Sequence, residues 1–221
     1  MTSPIAGAAS GQVRADRIDA VVIGASYGGV EALSVLLPAV PASLRPAVFI
    51  VLHLPRERAS VLAEIFSAKC ARPVREAVDK EPVEPGTVYF APPDYHLLVD
   101  RVSQSDAQLA LSTDDLVNFS RPSIDVLFES AADVYGPRLL GIVLTGANHD
   151  GADGLAAVHA ASGITVVQHP DTAQAALMPM AAIKRSPVDY VLTLDQIADL
   201  LRTLEGDAAA GSTSMNTGVS Q

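Results

Sequence analysis

Residues 21–37 read VVIGASYGGVEALSVLL, an apolar run that stops at a Gly-x-Ser-x-Gly pentapeptide and resumes with a different period. Val21, Val22 and Ile23 are consecutive β-branched residues, as in a strand buried on both faces. Past the glycines, Val30, Leu33, Leu36 and Leu37 recur at helical spacing and leave Glu31 outside the apolar set. The local reading is strand, tight turn, helix. Glycines there remove Cβ atoms where the chain turns sharply, and the helix start presents N–H groups with no intrahelical acceptor. Ser26 therefore stands where three roles meet: a nucleophile on a strained elbow, one wall of a phosphate cradle, or a small residue in a structural turn.

The same rhythm recurs along the chain. PAVFIVLHL (46–54) is a second buried-strand run, followed by the helical SVLAEIFSAK (60–69). PRLLGIVLTG (137–146) and ITVVQHP (164–170) are a third and a fourth, each leading into helix-like sequence. VDYVLTLDQIADLLRTL (188–204) closes with a strand and a helix for which Asp195 is the expected N-cap. Between Pro73 and Leu111 the pattern changes to short runs with no room for crossover helices, and HLLVD (96–100) faces AQLALS (107–112) as a hairpin at the side or edge of the sheet. RPSIDVLFESAADVYG (121–136) returns to helix, with Pro122 at its start and Ile124, Leu127, Phe128 and Ala131 on one face. Continuous apolar strands alternating with helices predict an α/β fold, a mostly parallel, doubly wound sheet with a hairpin insertion.

Composition narrows the function. Of 221 residues, 49% are hydrophobic, enough for one sizeable core. Fifteen basic against 25 acidic residues give a formal charge of −10, which argues against a nucleic-acid partner. The single cysteine, Cys70, excludes an intrachain disulfide framework and reads as a buried or half-buried thiol. No apolar stretch reaches the roughly 20 residues of a membrane helix, and the first residues lack the features of a secretory signal. A cytoplasmic protein, without membrane insertion and monomeric, is the expectation. Residues 1–16 and 206–221 have little to bury and are expected to be flexible tails on a domain spanning 17–205.

In doubly wound sheets, sites gather at the carboxyl ends of strands near a reversal of strand order. The residues that follow the four proposed strands are Ser26; His53; Asn148, His149 and Asp150; and Gln168 with His169. The cradle reading of Ser26 lacks both the G-x-G-x-x-G and the G-K-[ST] spelling, and His53 stands where a dinucleotide site wants an acidic residue. A serine hydroxyl needs a base, and His53 is the natural one, with His149 its rival. Asp150 is placed either to orient that base or, like Asp153, to cap the helix that follows. His96 and His169 are weaker candidates at the edge of the site. Scattered histidines, no H-E-x-x-H and a partnerless cysteine point to no metal and no cofactor.

Taken in order, VVIGASYGG, VLHLP, PGTVYFAPPDYHLLV, SRPSIDVLFESAA, GIVLTGANHDGADG and VVQHP…MPMAAI resemble the catalytic domain of the chemotaxis protein-glutamate methylesterases, over roughly Asp19 to Leu204. The resemblance implies a three-layer α/β/α sandwich and a serine hydrolase. Its substrates would be glutamyl methyl esters, and some glutamines, on the cytoplasmic helices of methyl-accepting chemotaxis receptors. By position, Ser26 matches the nucleophile, His53 the base, Asp150 the triad aspartate, and Tyr27 and Ala147 the oxyanion region. Tyr27 stands where the family usually has Thr, and Ala147 and Asn148 where it has Met and Gly. Family enzymes commonly carry an N-terminal receiver domain, for which there is no room before Arg17. These departures support an alternative, a catalytically weak or inactive module that binds a receptor or signalling partner. Arg56, Arg58, Arg121 and His149 are candidates for a substrate-contacting rim, since an acidic protein meeting an acidic helix bundle needs local positive charge.

Overall fold

The computed structural model describes residues 18–54, 61–104 and 106–204. Both expected tails, and Arg56 and Arg58 of the expected rim, lie outside the described residues.

Seven parallel strands form one sheet: β1 (Ala20–Ala25), β2 (Ala47–Leu52), β3 (Val74–Glu76), β4 (Val88–Phe90), β7 (Leu139–Val143), β8 (Ile164–Gln168) and β9 (Tyr190–Leu192). Their order is β3-β4-β2-β1-β7-β8-β9. The chain winds outward from β1 through β2 in one direction and later from β7 in the other, so the reversal lies between β1 and β7. β1 is buried along its whole length, which is why its sequence runs apolar without alternation.

Each face of the sheet is covered by helices. On one face α1 (Gly29–Leu36), α2 (Leu62–Ser67) and α6 (Leu194–Thr203) bring Leu33, Leu36, Phe66, Ile197 and Leu201 against Ile23, Ile50 and Ile142. On the other, α3 (Ile124–Tyr135), α4 (Ala152–Ala160) and α5 (Leu177–Arg185) pack Leu127, Phe128, Leu155, Val158 and Met178 against Val22, Phe49 and Val143. Successive β1 residues serve opposite cores, the two-residue period of a strand. The hairpin β5 (His96–Arg101) and β6 (Ala107–Ser112) is antiparallel, as expected, but forms its own two-stranded sheet, separate from the main one. It lies on the α3 side, where Ser130 Oγ receives the Val99 N–H at 3.2 Å.

Three local expectations change. Val30 is exposed, and Ala32 takes its place in the buried face of α1 because α1 starts only at Gly29. α6 is capped by Thr193, not Asp195: Thr193 and Gln196 exchange side-chain and backbone hydrogen bonds in a capping box, leaving Asp195 in the first turn. α3 is preceded by Ser123 as N-cap, so Pro122 lies outside the helix. Cys70 is half-buried, and burial raises its thiol pKa.

Candidate active site

β1 and β2 run in register to their ends, with Ala25 opposite Leu52 and the His53 N–H donating to the Ala25 carbonyl at 3.1 Å. Ser26 and His53, the next residues on each strand, therefore leave the sheet side by side. Neighbouring strands lie about 4.8 Å apart. On the other flank, the Ser26 N–H donates to the Thr145 carbonyl at 3.0 Å, tying the nucleophile candidate to the end of β7. Thr145 is itself braced: its N–H donates to the buried Gln168 side chain at 2.8 Å, and its hydroxyl donates to the Tyr27 carbonyl at 2.9 Å.

The turn after β1 differs from the strained elbow expected for Ser26. The Gly29 N–H donates to the Ser26 carbonyl at 2.8 Å, closing a four-residue turn. Gly28 carries its left-handed residue at φ 80, ψ 2, the geometry of the third position of a type II turn, where glycine is favoured. The unusual dihedral falls on Gly28 and Ser26 has no positive φ. A Cβ on Gly28 would also stand 2.8 Å from the Gln174 side chain. Among the described residues, the N–H groups of Tyr27, Gly28 and Ala147 meet no backbone acceptor, so all three remain available to a ligand beside Ser26.

His53 and Asp150 are in contact. The imidazole Nε2 lies 2.9 Å from Asp150 Oδ2, with Asp150 fully buried and the His53 side chain 13% exposed. Asn148 reads the other ring nitrogen: its Oδ1 accepts the Asp150 N–H at 3.2 Å, and its Nδ2 faces His53 Nδ1 at 3.4 Å. With Nδ2 as donor, Nδ1 holds the lone pair and the ring proton lies on Nε2, pointing at the carboxylate. In that tautomer Nδ1 is the nitrogen able to accept a proton. Among the described residues, the Ser26 hydroxyl has no hydrogen-bond partner, and it is half-buried.

Asp150 does not cap the helix it precedes. It reaches across to the start of α3, where Oδ2 accepts the Ile124 N–H at 2.7 Å and Oδ1 accepts the Ser123 hydroxyl at 2.8 Å, the Asp125 N–H at 3.2 Å and the Asn118 amide at 3.1 Å. Burial alone would raise its carboxyl pKa, but the hydrogen bond and charge of His53, the Ile124 N–H and the Asn118 amide outweigh it and lower the group to about 2. An anion at a helix N-terminus is favoured by both the free N–H groups and the helix dipole. α3 comes close enough to do this because β1 has glycine where the helix crosses: a Cβ on Gly24 would stand 2.3 Å from Ile124 Cγ2.

The remaining sequence candidates are dispersed. His149 is exposed, as are Ala147 and Tyr27. Arg121 spends its guanidinium on Asp94 at 2.8 Å and on the Thr113 and Asp114 carbonyls at 2.6 and 2.9 Å, which pins the loop ahead of α3. His96 is buried and braces the cap residue of α3: its Nδ1 accepts the Ser123 N–H at 3.2 Å, while Nε2 lies 3.0 Å from the Asp115 carbonyl. His169 takes the Asp171 N–H locally. Among the described residues, no cluster of His, Cys, Asp or Glu could hold a metal ion. Asn118, Ser123, Asp125 and Thr145 were not singled out by sequence. The one available signal was Asp125, an acidic residue at helical spacing from the apolar Phe128 and Ala132. A groove of about 580 Å³ lies at the amino end of the strands, by Ile18 and Ala47, and contains none of Ser26, His53 and Asp150. Among the described residues, no helix is long and apolar enough to cross a membrane.

Known proteins share this arrangement of chain. The CheB methylesterase family profile matches residues 21–201. A chain of Leptospira interrogans, provisionally named a protein-glutamate methylesterase/protein-glutamine glutaminase, is 44% identical over 187 residues, covering 85% of this chain and 95% of its own length. A Rhizobium johnstonii protein-glutamate methylesterase/protein-glutamine glutaminase is 41% identical over 178 residues, 80% of this chain, which spans only 48% of that relative. The crystal structure of the Thermotoga maritima CheB methylesterase catalytic domain superposes with a TM-score of 0.81 at 31% identity, covering 85% of this chain and 98% of that one. A shared fold, a profile match across the strand ends that carry Ser26, His53 and Asp150, and identity at this level together mean that the chain belongs to the CheB methylesterase family.

Proposed function

We propose that this chain is a serine hydrolase that removes methyl esters from glutamyl side chains of methyl-accepting chemotaxis receptors and deamidates receptor glutamines. Ser26 is the nucleophile, His53 the base and Asp150 the carboxylate that orients and charges the base. The observation that carries the reading is the buried His53–Asp150 contact at the strand end beside Ser26. Ser26 Oγ adds to the ester carbonyl carbon as its proton passes to His53 Nδ1, with Asn148 giving up its place at that nitrogen. The N–H groups of Tyr27, Gly28 and Ala147 receive the oxyanion. Collapse of the tetrahedral intermediate expels methoxide, which recovers the proton from His53 and leaves as methanol. Water, deprotonated by the same nitrogen, then cleaves the glutamyl-serine ester. The ring works the opposite way round from a chymotrypsin-type triad, where Nδ1 faces the aspartate.

A substrate side chain carried on a folded protein calls for an open site with apolar contacts around it. Tyr27, next to Ser26, is 66% exposed, and Phe119, next to the Asn118 that touches Asp150, is 91% exposed. Phe119 and Asn118 are both left-handed, at φ 61 and 49, in a tight turn closed by hydrogen bonds between Val117 and Ser120. Holding an exposed aromatic in a conformation that side chains disfavour fits a functional contact better than a structural one. Arg56 and Arg58, following His53 in the chain, and His149 are the proposed polar rim.

The alternative of a weakly active binding module draws on the unpartnered Ser26 hydroxyl and on Asn148 at His53 Nδ1. One experiment separates the two. Methanol release from methylated receptor is expected from the wild type and abolished in Ser26→Ala; release at full rate by Ser26→Ala would overturn the mechanism. Receptor binding without release by the wild type would favour the module.

A further inference from the structure

A second carboxyl group lies behind the triad side chains, and the reaction does not consume it. Asp125, in the first turn of α3, is 4% exposed. Its Oδ1 accepts the N–H groups of Gly151 and Gly154 at 2.9 and 2.7 Å, and its Oδ2 accepts the Asn118 amide at 2.7 Å. Asp150 makes the converse exchange, standing before α4 and accepting the first N–H groups of α3. Each helix start is therefore capped by the carboxylate of the other helix. The Asn118 Nδ2 donates to both carboxyls, at 2.7 and 3.1 Å, and the Asp125 backbone N–H donates to Asp150 Oδ1 at 3.2 Å.

We propose that Asp125 is a positioning residue for the reaction: through the Asn118 amide it shares with Asp150, and through the reciprocal capping of α3 and α4, it sets the orientation of Asp150 and the charge that His53 meets. The proposal rests on the triad assignment above. Two buried carboxylates sharing one amide donor do not both ionise readily, so one of them keeps a proton. The surroundings decide which. Asp125 is faced by Asp150, which precedes α4, and by Asp153 of α4, which is paired with Arg185 of α5. Its own helix adds Glu129, and from β5 His96 sits at the same helix start. β1 and β7 present no ionisable residue. Burial pushes the Asp125 carboxyl up, the Gly154 N–H opposes this, and Asp150 and Asp153 add to the rise, which reaches about 7. Asp150, facing His53, goes the other way. The opposite directions make Asp125 the member of the pair that takes up a proton first as pH falls. When pH rises through its titration, a second negative charge appears behind Asp150 and adds to the charge that faces His53.

Asp125→Asn tests this, since asparagine keeps an oxygen for Gly151 and Gly154 without ever ionising. The rate of Ser26 labelling by phenylmethylsulfonyl fluoride is measured in the wild type and the variant from about pH 5 to pH 9. The acid-limb midpoint of the variant is expected to fall by about half a unit to one unit. An unchanged midpoint, whatever the change in plateau rate, would mean that Asp125 is merely structural and would overturn the proposal. Carbon-13 NMR of aspartate carboxyls in the wild type provides a readout independent of activity and of the variant's folding. One aspartate is expected to titrate near neutrality; all of them ionised by about pH 5 would overturn the proposal as well. A wild type that never labels at Ser26 would sink the triad assignment, while the NMR titration still decides whether Asp125 holds the proton.

Discussion

The two faces of the sheet bury comparable apolar sets yet differ in what else they bury. Under α1, α2 and α6 the buried core is made of Leu, Ile, Val, Phe and Ala. Under α3, α4 and the hairpin, the same kind of core ends in His96, Ser123, Asp125 and Asp150, all at or near zero exposure. Among the described residues, every buried ionisable side chain is on that second side. Buried charge is tolerated only with a full set of partners, and here two helix starts provide them. The comparison separates a face that holds the fold together from one that spends part of its packing on chemistry.

Asp150→Asn should break the contrast most sharply. The new amide must donate toward His53, forcing the ring proton from Nε2 to Nδ1 and removing the basic lone pair. By analogy with the same change in a serine-protease triad, activity should fall on the order of 10³–10⁴-fold, read as methanol release or Ser26 labelling. A loss under tenfold would mean that the carboxylate does not set the tautomer.

Emptying each core at an equivalent place asks whether both faces contribute similarly to stability. Phe66→Ala on the α2 side and Phe128→Ala on the α3 side remove rings that are both fully buried. Each should cost about 3–5 kcal/mol in urea unfolding. Phe128→Ala should also reduce turnover in the folded protein, since it loosens the helix whose start holds Asp150, whereas Phe66→Ala should leave turnover near the wild-type value. Equal effects on turnover would erase the distinction.

The smallest effect is on pH dependence. Asp150 titrates lower in the folded protein than its ordinary 3.8, at about 2, so its contribution is present above the ordinary value and is lost as pH falls toward 2. Asp125 titrates higher, at about 7 against 3.8. Its contribution is complete below the ordinary value and disappears as pH rises through about 7. The urea midpoint of the wild type should therefore decline between about pH 4 and pH 7, and Asp125→Asn should flatten that decline. An equal decline in both proteins would show that groups elsewhere produce it.

Much of this molecule was legible in its sequence. Near-continuous apolar runs placed β1, β2, β7 and β8, because a strand covered on both faces leaves few positions for polar side chains. The residues immediately after those strands supplied Ser26, His53 and Asp150, since the carboxyl ends of parallel strands share one edge of the sheet. Tertiary structure decided what those residues do to each other. Asp150 read equally well as the cap of its own helix; the crossing of α3 over Gly24 gives it Ile124 and Ser123 as partners, and the end of β2 gives it His53. Asn118 and Asp125 were not singled out by sequence, and they meet Asp150 across 32 and 25 positions of chain. Local pattern specifies period and burial. A shared proton or a borrowed helix cap depends on distances between segments far apart in sequence, which packing alone sets.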